Sequence, residues 1–444
     1  MMLKRFSLAS LIVLTSISYT VQADTLFQVY QAAKTKDPTI LKSKAQYDMF
    51  LEKVSESNAS LLPQIAFSAD TSYNHYNNDY SKSTYGATLS LSQSLYDSTA
   101  WQQLDYAEKQ ATEYAVIYNV SAQNLLLRTA TAYFNVLRAD QAVKSIKANK
   151  RAVERQLEQT KQRFEVGLIA ITDVHEAQAG YDRTIASEIN AENTLLNSYY
   201  TLRELTGADI RNVADLNTKV FAPQQIEGDL STWRQKSVEH NLTLHAKRIA
   251  KELAKMQINL AEAGNKPTLS LVAGLDHHSS SYDDSTVDAG FSSSSYNYDN
   301  LNTGTIGLEL TIPLYTGGKI TSAVKQAQYA YVIASEELKS TFRSTESQVS
   351  SGFNNVRASI SAIRAYEQTV KSSASALEAI QAGFEVGTRT IVDVLDGTRN
   401  LYNSENELAN ARYDYIINML NLKFSAGTLT EQDLIGISKN LIQK

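Results

Sequence analysis

The sequence predicts an α+β membrane protein that combines membrane-crossing β-strands with very long α-helices. Four runs alternate apolar and polar residues, which is the pattern of a β-strand. Two stretches are nearly free of helix-breaking residues: residues 87–166 contain neither Gly nor Pro, and residues 319–382 contain only Gly352. Residues 164–174 also recur as residues 384–394 with seven of eleven positions identical, which indicates a duplicated unit.

The N-terminus has the pattern of a secretory signal peptide. The basic residues Lys4 and Arg5 precede a short apolar run and the small residue Ala23. This run, like every later one, is shorter than the roughly 20 apolar residues that a membrane-spanning helix needs. Residues 1–23 are therefore predicted to be a cleavable signal peptide, and a helical membrane span is excluded.

Composition excludes several classes of protein. The chain has no cysteine, which rules out disulfides, a Cys-ligated metal site and an N-terminal lipoprotein anchor. Without Lys4 and Arg5, the mature chain carries 40 basic and 47 acidic residues, and this net negative charge disfavours nucleic-acid binding. Tyrosine outnumbers phenylalanine by 25 to 12, and tyrosine suits membrane interfaces.

The duplication divides the mature chain into two predicted structural repeats, residues 24–230 and 231–444. Each repeat contributes one pair of strands, and the four are predicted over residues 64–75, 84–95, 267–277 and 303–314. Runs of about ten residues suit tilted strands that cross a bilayer, with apolar side chains toward lipid and Ser, Thr and Gly toward water. A half-buried strand of a soluble sheet shows the same alternation, so the strands alone leave both alternatives open.

Polar segments join the strands of each pair. We expect loops over about residues 75–84 and 277–302. The segment from Pro267 to Tyr315 is fifteen residues longer than the corresponding segment from Pro63 to Tyr96 in the first repeat. The Ser-, Tyr- and Asp-rich segment 279–300 is the obvious place for these extra residues. Long insertions are tolerated at exposed loop tips, so these loops are expected to face outward.

Helices are predicted after each strand pair. Long helices are expected over about residues 98–166 and 319–386, with shorter ones over about 171–205 and 390–424. Nearly seventy helical residues extend about 100 Å, which a compact domain cannot contain. Apolar pairs recur every seven residues in the last helix, at 394–395, 401–402, 408–409 and 415–416. This spacing indicates supercoiled helices that form a coiled coil or the wall of a tunnel.

The remaining segments fit a small mixed region at the middle of the long helices. They are an N-terminal helix from Asp24, residues 207–233 and the C-terminal segment 427–444. Thr430 followed by Asp433 predicts the capped start of a short final helix. Because four strands cannot close a barrel in lipid, the chain must also oligomerise, and three copies would supply twelve strands and a pore.

At this point the sequence resembles the TolC family of trimeric outer-membrane exit ducts. The resemblance covers nearly the whole mature chain and is carried by residues 132–137, 166–174, 325–329, 387–396, 407–413 and 427–434. It implies a trimeric twelve-stranded transmembrane β-barrel that continues into a long periplasmic α-helical barrel of coiled coils, with a small mixed equatorial region. It also implies a passive duct in multidrug efflux and type I protein secretion.

The resemblance implies partners and a location as well. The expected partners are a periplasmic adaptor (membrane fusion) protein, an inner-membrane RND, ABC or MFS transporter, and outer-membrane lipid. The expected location is the outer membrane, with the helices extending into the periplasm. No nucleic acid and no cofactor are expected. The alternative from another class is a soluble periplasmic coiled-coil scaffold without channel activity.

The repeated motif is then expected to form a periplasmic gate. Gly167 and Gly387 fall at the turns between long and short helices, where the resemblance also implies adaptor docking. Asp393 and Asp396, three residues apart, project from one helix face and are implied to form carboxylate rings that bind cations and raise each other's pKa. The alternative is two solvated carboxylates in a first helical turn, where the helix dipole favours them.

The implied gate links involve four further residues. Arg389 would pair with Thr172 or Asp173 of the neighbouring protomer. The sequence departs from the family at Phe384, where a tyrosine that hydrogen-bonds Asp173 is expected. Phe384 has no hydroxyl, so this bond cannot form, and closure is predicted to depend more on Arg389.

Other candidate sites lack distinctive spacing. The polar residues in and near the second loop could in principle bind a metal, but no ligand pattern is recognisable among Asp276, His277, His278, Asp283 and Asp284. Gly317-Gly318-Lys319 lacks the earlier glycine and the following Ser or Thr of a phosphate-binding loop. No nucleophile–base constellation is visible, so an enzyme is not predicted.

Overall fold

A computed structural model describes residues 23–76, 80–284 and 301–442. Apart from Ala23, the expected signal peptide lies outside these residues. The elements in chain order are α1 (Leu26–Lys36), α2 (Pro38–Ala59), β1 (Gln64–Tyr76), β2 (Tyr80–Asp97), α3 (Ser98–Glu165), α4 (Ile171–Thr206), β3 (Asp215–Leu216), α5 (Leu230–His240), α6 (Leu242–Ala263), β4 (Thr268–Asp284), β5 (Leu301–Thr311), α7 (Lys319–Glu385), α8 (Ile391–Ser425), α9 (Glu431–Ser438) and β6 (Leu441–Ile442).

The four long strands form one antiparallel sheet in the order β1-β2-β4-β5. The register places Phe67 opposite Leu89 and Leu89 opposite Leu275, so apolar residues of neighbouring strands share one face. Thr88 lies opposite Asp276 on the other face. Because successive side chains of a strand point to opposite faces, the predicted alternation gives the sheet one apolar and one polar face.

Most strand boundaries differ from the prediction, and three differ by three residues or more. The loops expected over residues 75–84 and 277–302 are partly strand, because β1 and β2 pair as far as Tyr76 and Tyr80 and β4 continues to Asp284. Apolar alternation stops earlier, but ladder hydrogen bonds join backbone groups and do not require apolar side chains. β5 ends at Thr311, three residues before the predicted end, and Pro313 cannot donate to a ladder. Residues 285–300 of the expected long loop lie outside the described residues.

The two long helices are continuous. α3 has 68 residues and α7 has 67, which corresponds to about 100 Å each. Asp97 caps α3, since its carboxylate accepts hydrogen bonds from the backbone N–H groups of Thr99 and Ala100. Gly352 within α7 serves close packing, because a Cβ there would lie 3.4 Å from the Cα of Leu422 in α8.

The helices continue the sheet as a row. α2 leads into β1, β2 leads into α3, α6 leads into β4, and β5 leads into α7. In this row α2 packs on α3, α3 on α6, and α6 on α7. At the other end of the molecule α3 pairs with α4, α7 pairs with α8, and α3 also contacts α8. Each strand is thus extended by one helix, and two helical hairpins form the end distant from the sheet.

The main hydrophobic core lies where the long helices meet the equatorial region, which consists of α1, α5, α9 and the β3–β6 sheet. The side chains of Tyr133 and Phe134 are fully buried here. The hydroxyl of Tyr133 donates to the carbonyl oxygens of Ala214 (2.8 Å) and Asp24 (3.1 Å) and so ties α3 to both segments. The final helix α9 begins as predicted, with the Asp433 carboxylate accepting from the backbone N–H of Thr430.

Candidate functional site

Two tip turns join the helical hairpins at the end distant from the sheet. The first tip turn comprises residues 166–170 between α3 and α4, and the second comprises residues 386–390 between α7 and α8. Gly167 and Gly387 have backbone φ angles of 76° and 79°, in the left-handed region that glycine adopts without strain. The N–H of Gly167 donates to Phe164 O and the N–H of Leu168 donates to Arg163 O, which is a Schellman ending for α3.

The helices that follow the two turns begin differently. α8 starts with a capping box: Asp393 N–H donates to the Thr390 hydroxyl, and the Asp393 carboxylate accepts from the backbone N–H of Thr390 at 2.9 Å. α4 starts after Ala170, which has no side chain that could cap it. The second tip turn is therefore held more tightly by local hydrogen bonds than the first.

The carboxylate of Asp393 is thus engaged within its own chain. It accepts from the backbone N–H and the hydroxyl of Thr390, and these hydrogen bonds lower the pKa of Asp393, with a smaller contribution from the positive charge of Arg389. This direction is opposite to the rise in pKa that converging carboxylates of a trimer would produce. Within one chain, Asp393 is a helix-capping carboxylate that stays ionised.

Asp396 has a different partner. Its carboxylate forms an ion pair with Arg399, one turn further along α8, at 2.7 Å. Both side chains of this pair are about half exposed. The structure therefore places Asp393 and Asp396 together in the first two turns of α8, as the sequence spacing requires, and gives each a local partner. Their function as cation-binding rings stays a prediction.

Arg389 folds back over the end of α7. Its backbone N–H donates to the carbonyl oxygen of Gly383 at 3.2 Å, and a Cβ at Gly383 would lie 2.7 Å from the Cγ of Arg389. Glycine at position 383 is therefore what allows the side chain to pass. The expected partners Thr172 and Asp173 lie in the first turn of α4. The link between them and Arg389 would join two protomers, and it stays a prediction.

Phe384 has a partner that the sequence analysis missed. The guanidinium of Arg163, at the end of α3, lies 4.7 Å from the centre of the Phe384 ring, and its Nη1 donates to Phe384 O at 3.4 Å. The ring also packs against a small apolar cluster centred on Leu157, Ala177 and Ile391. The sequence contains one indication of this contact. Arg163 and Gly383 directly precede the two copies of the motif, and they differ in size and charge.

The apolar face of the sheet is uncovered in the single chain. The exposed fraction is 71% for Phe67 and 81% for Ile306, and Ile65, Leu308 and Leu310 are exposed beside them. Contiguous exposed apolar surface on this scale marks contact with a partner or with a membrane.

These features have counterparts among known proteins. A sequence profile for the family described as "Outer membrane efflux protein" matches residues 29–208 and 233–428, one segment in each half of the chain. The chain belongs to the outer membrane efflux protein family. This assignment confirms the family resemblance that the sequence motifs indicated.

Several known proteins are similar to this chain over most of their length. The chain is 45% identical to outer membrane protein TolC of Vibrio cholerae over 429 residues, covering 96% of each chain. It is 44% identical to TolC of Escherichia coli, covering 96% of this chain and 87% of that protein. It is 27% identical to the protease secretion protein PrtF of Dickeya chrysanthemi, covering 98% and 95%.

Solved structures show the same fold. The Campylobacter jejuni CmeC outer membrane channel matches with a TM-score of 0.77 at 16% identity, covering 94% of this chain and 89% of that one. The outer membrane protein VceC of Vibrio cholerae matches with a TM-score of 0.73 at 18% identity, covering 90% and 96%. The predicted combination of strands with long paired helices is thereby confirmed for this family member.

Two of the polar residues considered as metal ligands form hydrogen bonds with neighbouring strands. Asp276 accepts a hydrogen bond from the Thr88 hydroxyl at 2.6 Å, and His277 Nδ1 lies 2.7 Å from Asn302 Oδ1. The described residues contain no group of three potential metal ligands, and the side chains of Asp283 and Asp284 lie outside the description. None of the described helices combines the length and the apolarity that crossing a bilayer requires.

Proposed function

We propose that this chain is the outer-membrane exit duct of tripartite multidrug efflux and type I protein secretion systems. The observation that carries the proposal is a sheet with one uncovered apolar face, each strand of which continues directly into a helix of one row. In a family of outer membrane efflux proteins, this arrangement suits a membrane-embedded wall joined to a long periplasmic tube. The description of the family as outer membrane efflux proteins supports the efflux function, and the name of the protease secretion protein PrtF supports the secretion function.

The duct closes by assembly of three copies. Among the described strands, β1 and β5 are the two edges of the sheet, and α2 and α7 are the two ends of the helical row. Lipid cannot satisfy the hydrogen bonds of an open edge, so β5 of one protomer pairs with β1 of the next. Three copies supply twelve strands, enough to enclose a lumen. The homotrimer would likewise join α7 to a neighbouring α2.

The gate is at the tip turns. In this proposal Asp393 and Asp396 of three protomers converge on the axis and bind cations, and Arg389 links to Thr172 or Asp173 of the next protomer. The tip turns at Gly167 and Gly387 are where the periplasmic adaptor docks. An inner-membrane RND, ABC or MFS transporter supplies the energy, because the duct conducts passively and catalyses no reaction. Residues 1–23 are removed as a signal peptide after export.

The soluble coiled-coil scaffold is less well supported. A soluble protein rarely leaves a large contiguous apolar face in water, yet the sheet presents such a face along several strands. The relatives are outer membrane proteins or secretion proteins by name. We therefore retain the duct as the proposed function.

The deciding experiment is reconstitution. The protein purified in mild detergent should have three times the mass of the chain by light scattering and should conduct ions in a planar lipid bilayer. Arg389→Ser should increase the single-channel conductance, because it removes the proposed link between protomers. A monomer, or a trimer that does not conduct, would contradict the duct; unchanged conductance of Arg389→Ser would remove only Arg389 from the gate.

A further inference from the structure

Arg163 and Phe384 connect the ends of the two long helices. The residues are 221 positions apart in the sequence, and Arg163 makes two contacts to the same partner. Its guanidinium carbon lies 4.7 Å from the ring centre, and its Nη1 donates to the Phe384 carbonyl oxygen at 3.4 Å. A guanidinium within about 6 Å of a ring centre is attracted by the electron density of the ring face. The contact therefore combines a cation–π interaction with a hydrogen bond.

The ring of Phe384 is itself held in place. It packs on the apolar cluster of Leu157, Ala177 and Ile391, which brings α3, α4 and α8 together at this level. Arg163 thus contacts a ring whose position is fixed by its packing against this cluster. Lysine could not reproduce the contact, because its compact ammonium lacks the flat surface with which a guanidinium stacks on an aromatic ring.

The surroundings of the contact are polar. A cleft of about 580 Å³ separates the ends of α3 and α7, and its walls include Gln156, Gln159, Gln162, Gln381 and Glu385. The buried Nε2 of Gln156 has no hydrogen-bond partner among the described residues. The Arg163–Phe384 contact therefore joins the ends of α3 and α7 across a polar cleft.

The duplication makes this contact specific to one of the two turns. The position equivalent to Arg163 in the second copy is Gly383, over which the side chain of Arg389 passes. Arg163 thus joins two helices of one chain, whereas the side chain of Arg389 packs on Gly383 at the end of α7.

We propose that Arg163 is a positioning residue of the gate, which holds the end of α7 against α3 within each protomer. This inference rests on the proposed function. Phe384 has no hydroxyl and cannot hydrogen-bond Asp173. Arg163 therefore restrains the end of α7 in place of that bond. Movement of α7 and α8 away from α3 must break the stack, so the contact stabilises the arrangement seen in the structure and opposes opening of the tip.

The first test is local and does not require conduction. Hydrogen exchange of the purified trimer, followed by mass spectrometry, should show Arg163→Ala raising the exchange rate of residues 380–390 by about two- to fivefold, the factor expected for one exposed cation–π contact. Arg155→Ala is the matched control. Arg155 also lies on α3, but its guanidine group donates to Arg151 O of its own helix, so the exchange rate should stay unchanged.

The second test measures the gate. Arg163→Ala and Phe384→Leu should each increase channel opening in planar bilayers, and the double variant should open no more than the stronger single variant, because both remove the same interaction. Phe384→Tyr keeps the ring and adds a hydroxyl that could bond Asp173, so it should open no more than the wild type. Arg163→Lys keeps the charge and should still open more than the wild type.

The outcomes separate the two proposals. A wild-type protein that does not conduct would refute the duct, while the exchange experiment would still report on the contact. If the wild type conducts but Arg163→Ala changes neither exchange nor opening, the inference about Arg163 is wrong. Faster exchange without increased opening, or additive effects in the double variant, would equally overturn its assignment to the gate.

Discussion

In the proposed duct, the carboxylate of Asp393 would have two functions. Two hydrogen bonds from Thr390 hold it at the start of α8, and the proposed duct needs the same charge on its axis. These functions are compatible, because the hydrogen bonds favour the ionised form and lower the pKa of Asp393. The two arginines also differ in function. Arg163 makes a contact within the protomer, and Arg389 is proposed to make one between protomers.

Block of the channel by divalent or trivalent cations should depend on Asp393 and Asp396. The double variant Asp393→Ala with Asp396→Ala should abolish the block, measured as current in planar bilayers with the cation on the side of the tips. The Asp393 carboxyl stays charged above its lowered pKa. Wild-type block should therefore persist in mildly acidic solution and weaken only as the pH falls through this pKa.

Thr390→Ala provides the comparison for this pH dependence. It removes the hydroxyl that donates to Asp393 and should raise the pKa of that carboxyl, so block should be lost at a higher pH than in the wild type. Undiminished block in the double aspartate variant would place the cation site elsewhere.

Glycines in a left-handed conformation follow the ends of α3, α7 and α8, but their surroundings differ. Gly167 and Gly387 at the tip turns have no atom within 4 Å of a Cβ that would be added there. Gly427, between α8 and α9, has a φ of 74°, and its added Cβ would lie 2.2 Å from the carbonyl oxygen of His240. The same backbone conformation is therefore an open turn at the tips and a tightly packed contact in the equatorial region.

Alanine substitutions should separate these two situations. Gly167→Ala should lower the free energy of unfolding by about 1–2 kcal/mol, the cost of a left-handed backbone for a residue with a Cβ. Gly427→Ala should cost roughly 2–4 kcal/mol, because overpacking against His240 adds to that strain. Urea unfolding of the detergent-solubilised protein, followed by circular dichroism, measures both. Equal losses would show that the equatorial region relaxes around the added methyl group.

The sheet and the row of helices share one organisation across the molecule. Each of the four strands is continuous with one of four helices. Among the described residues, β1 and β5 are the edge strands of the sheet, and the helices joined to them, α2 and α7, are the outer helices of the row. A second copy that satisfies one layer is therefore in position to satisfy the other. This correspondence explains how a single assembly step would complete both a membrane barrel and a helical tube.

Lysine substitutions on β5 should distinguish its two faces. Ile306 lies on the exposed apolar face, and Thr305 lies on the polar face beside Gly274. Ile306→Lys should destabilise the membrane-inserted protein by about 2–4 kcal/mol, because a charge must enter lipid, whereas Thr305→Lys faces water in the proposed barrel. Cell fractionation and urea unfolding in liposomes measure the effect. Equal behaviour of the two variants would contradict a lipid-facing sheet.

Local patterns in the sequence were sufficient for the fold class and for most elements. Period-two alternation predicts strands, and the absence of Gly and Pro predicts the long helices, because both signals depend on residues close together in the chain. The strand ends were predicted less well, since ladder pairing of Ser- and Tyr-rich segments depends on a partner strand and not on local polarity.

The sequence likewise predicted one part of the candidate site, and only the folded structure revealed the other part. The duplicated motif located both tip turns and the neighbouring aspartates, because turn chemistry and helix capping are local. The partners of those residues came only from the folded chain: Arg163 meets Phe384 across 221 positions, and Arg389 passes over a glycine that has no side chain to signal it. Contacts between residues so distant in sequence arise from packing of the two hairpins, which no single segment encodes.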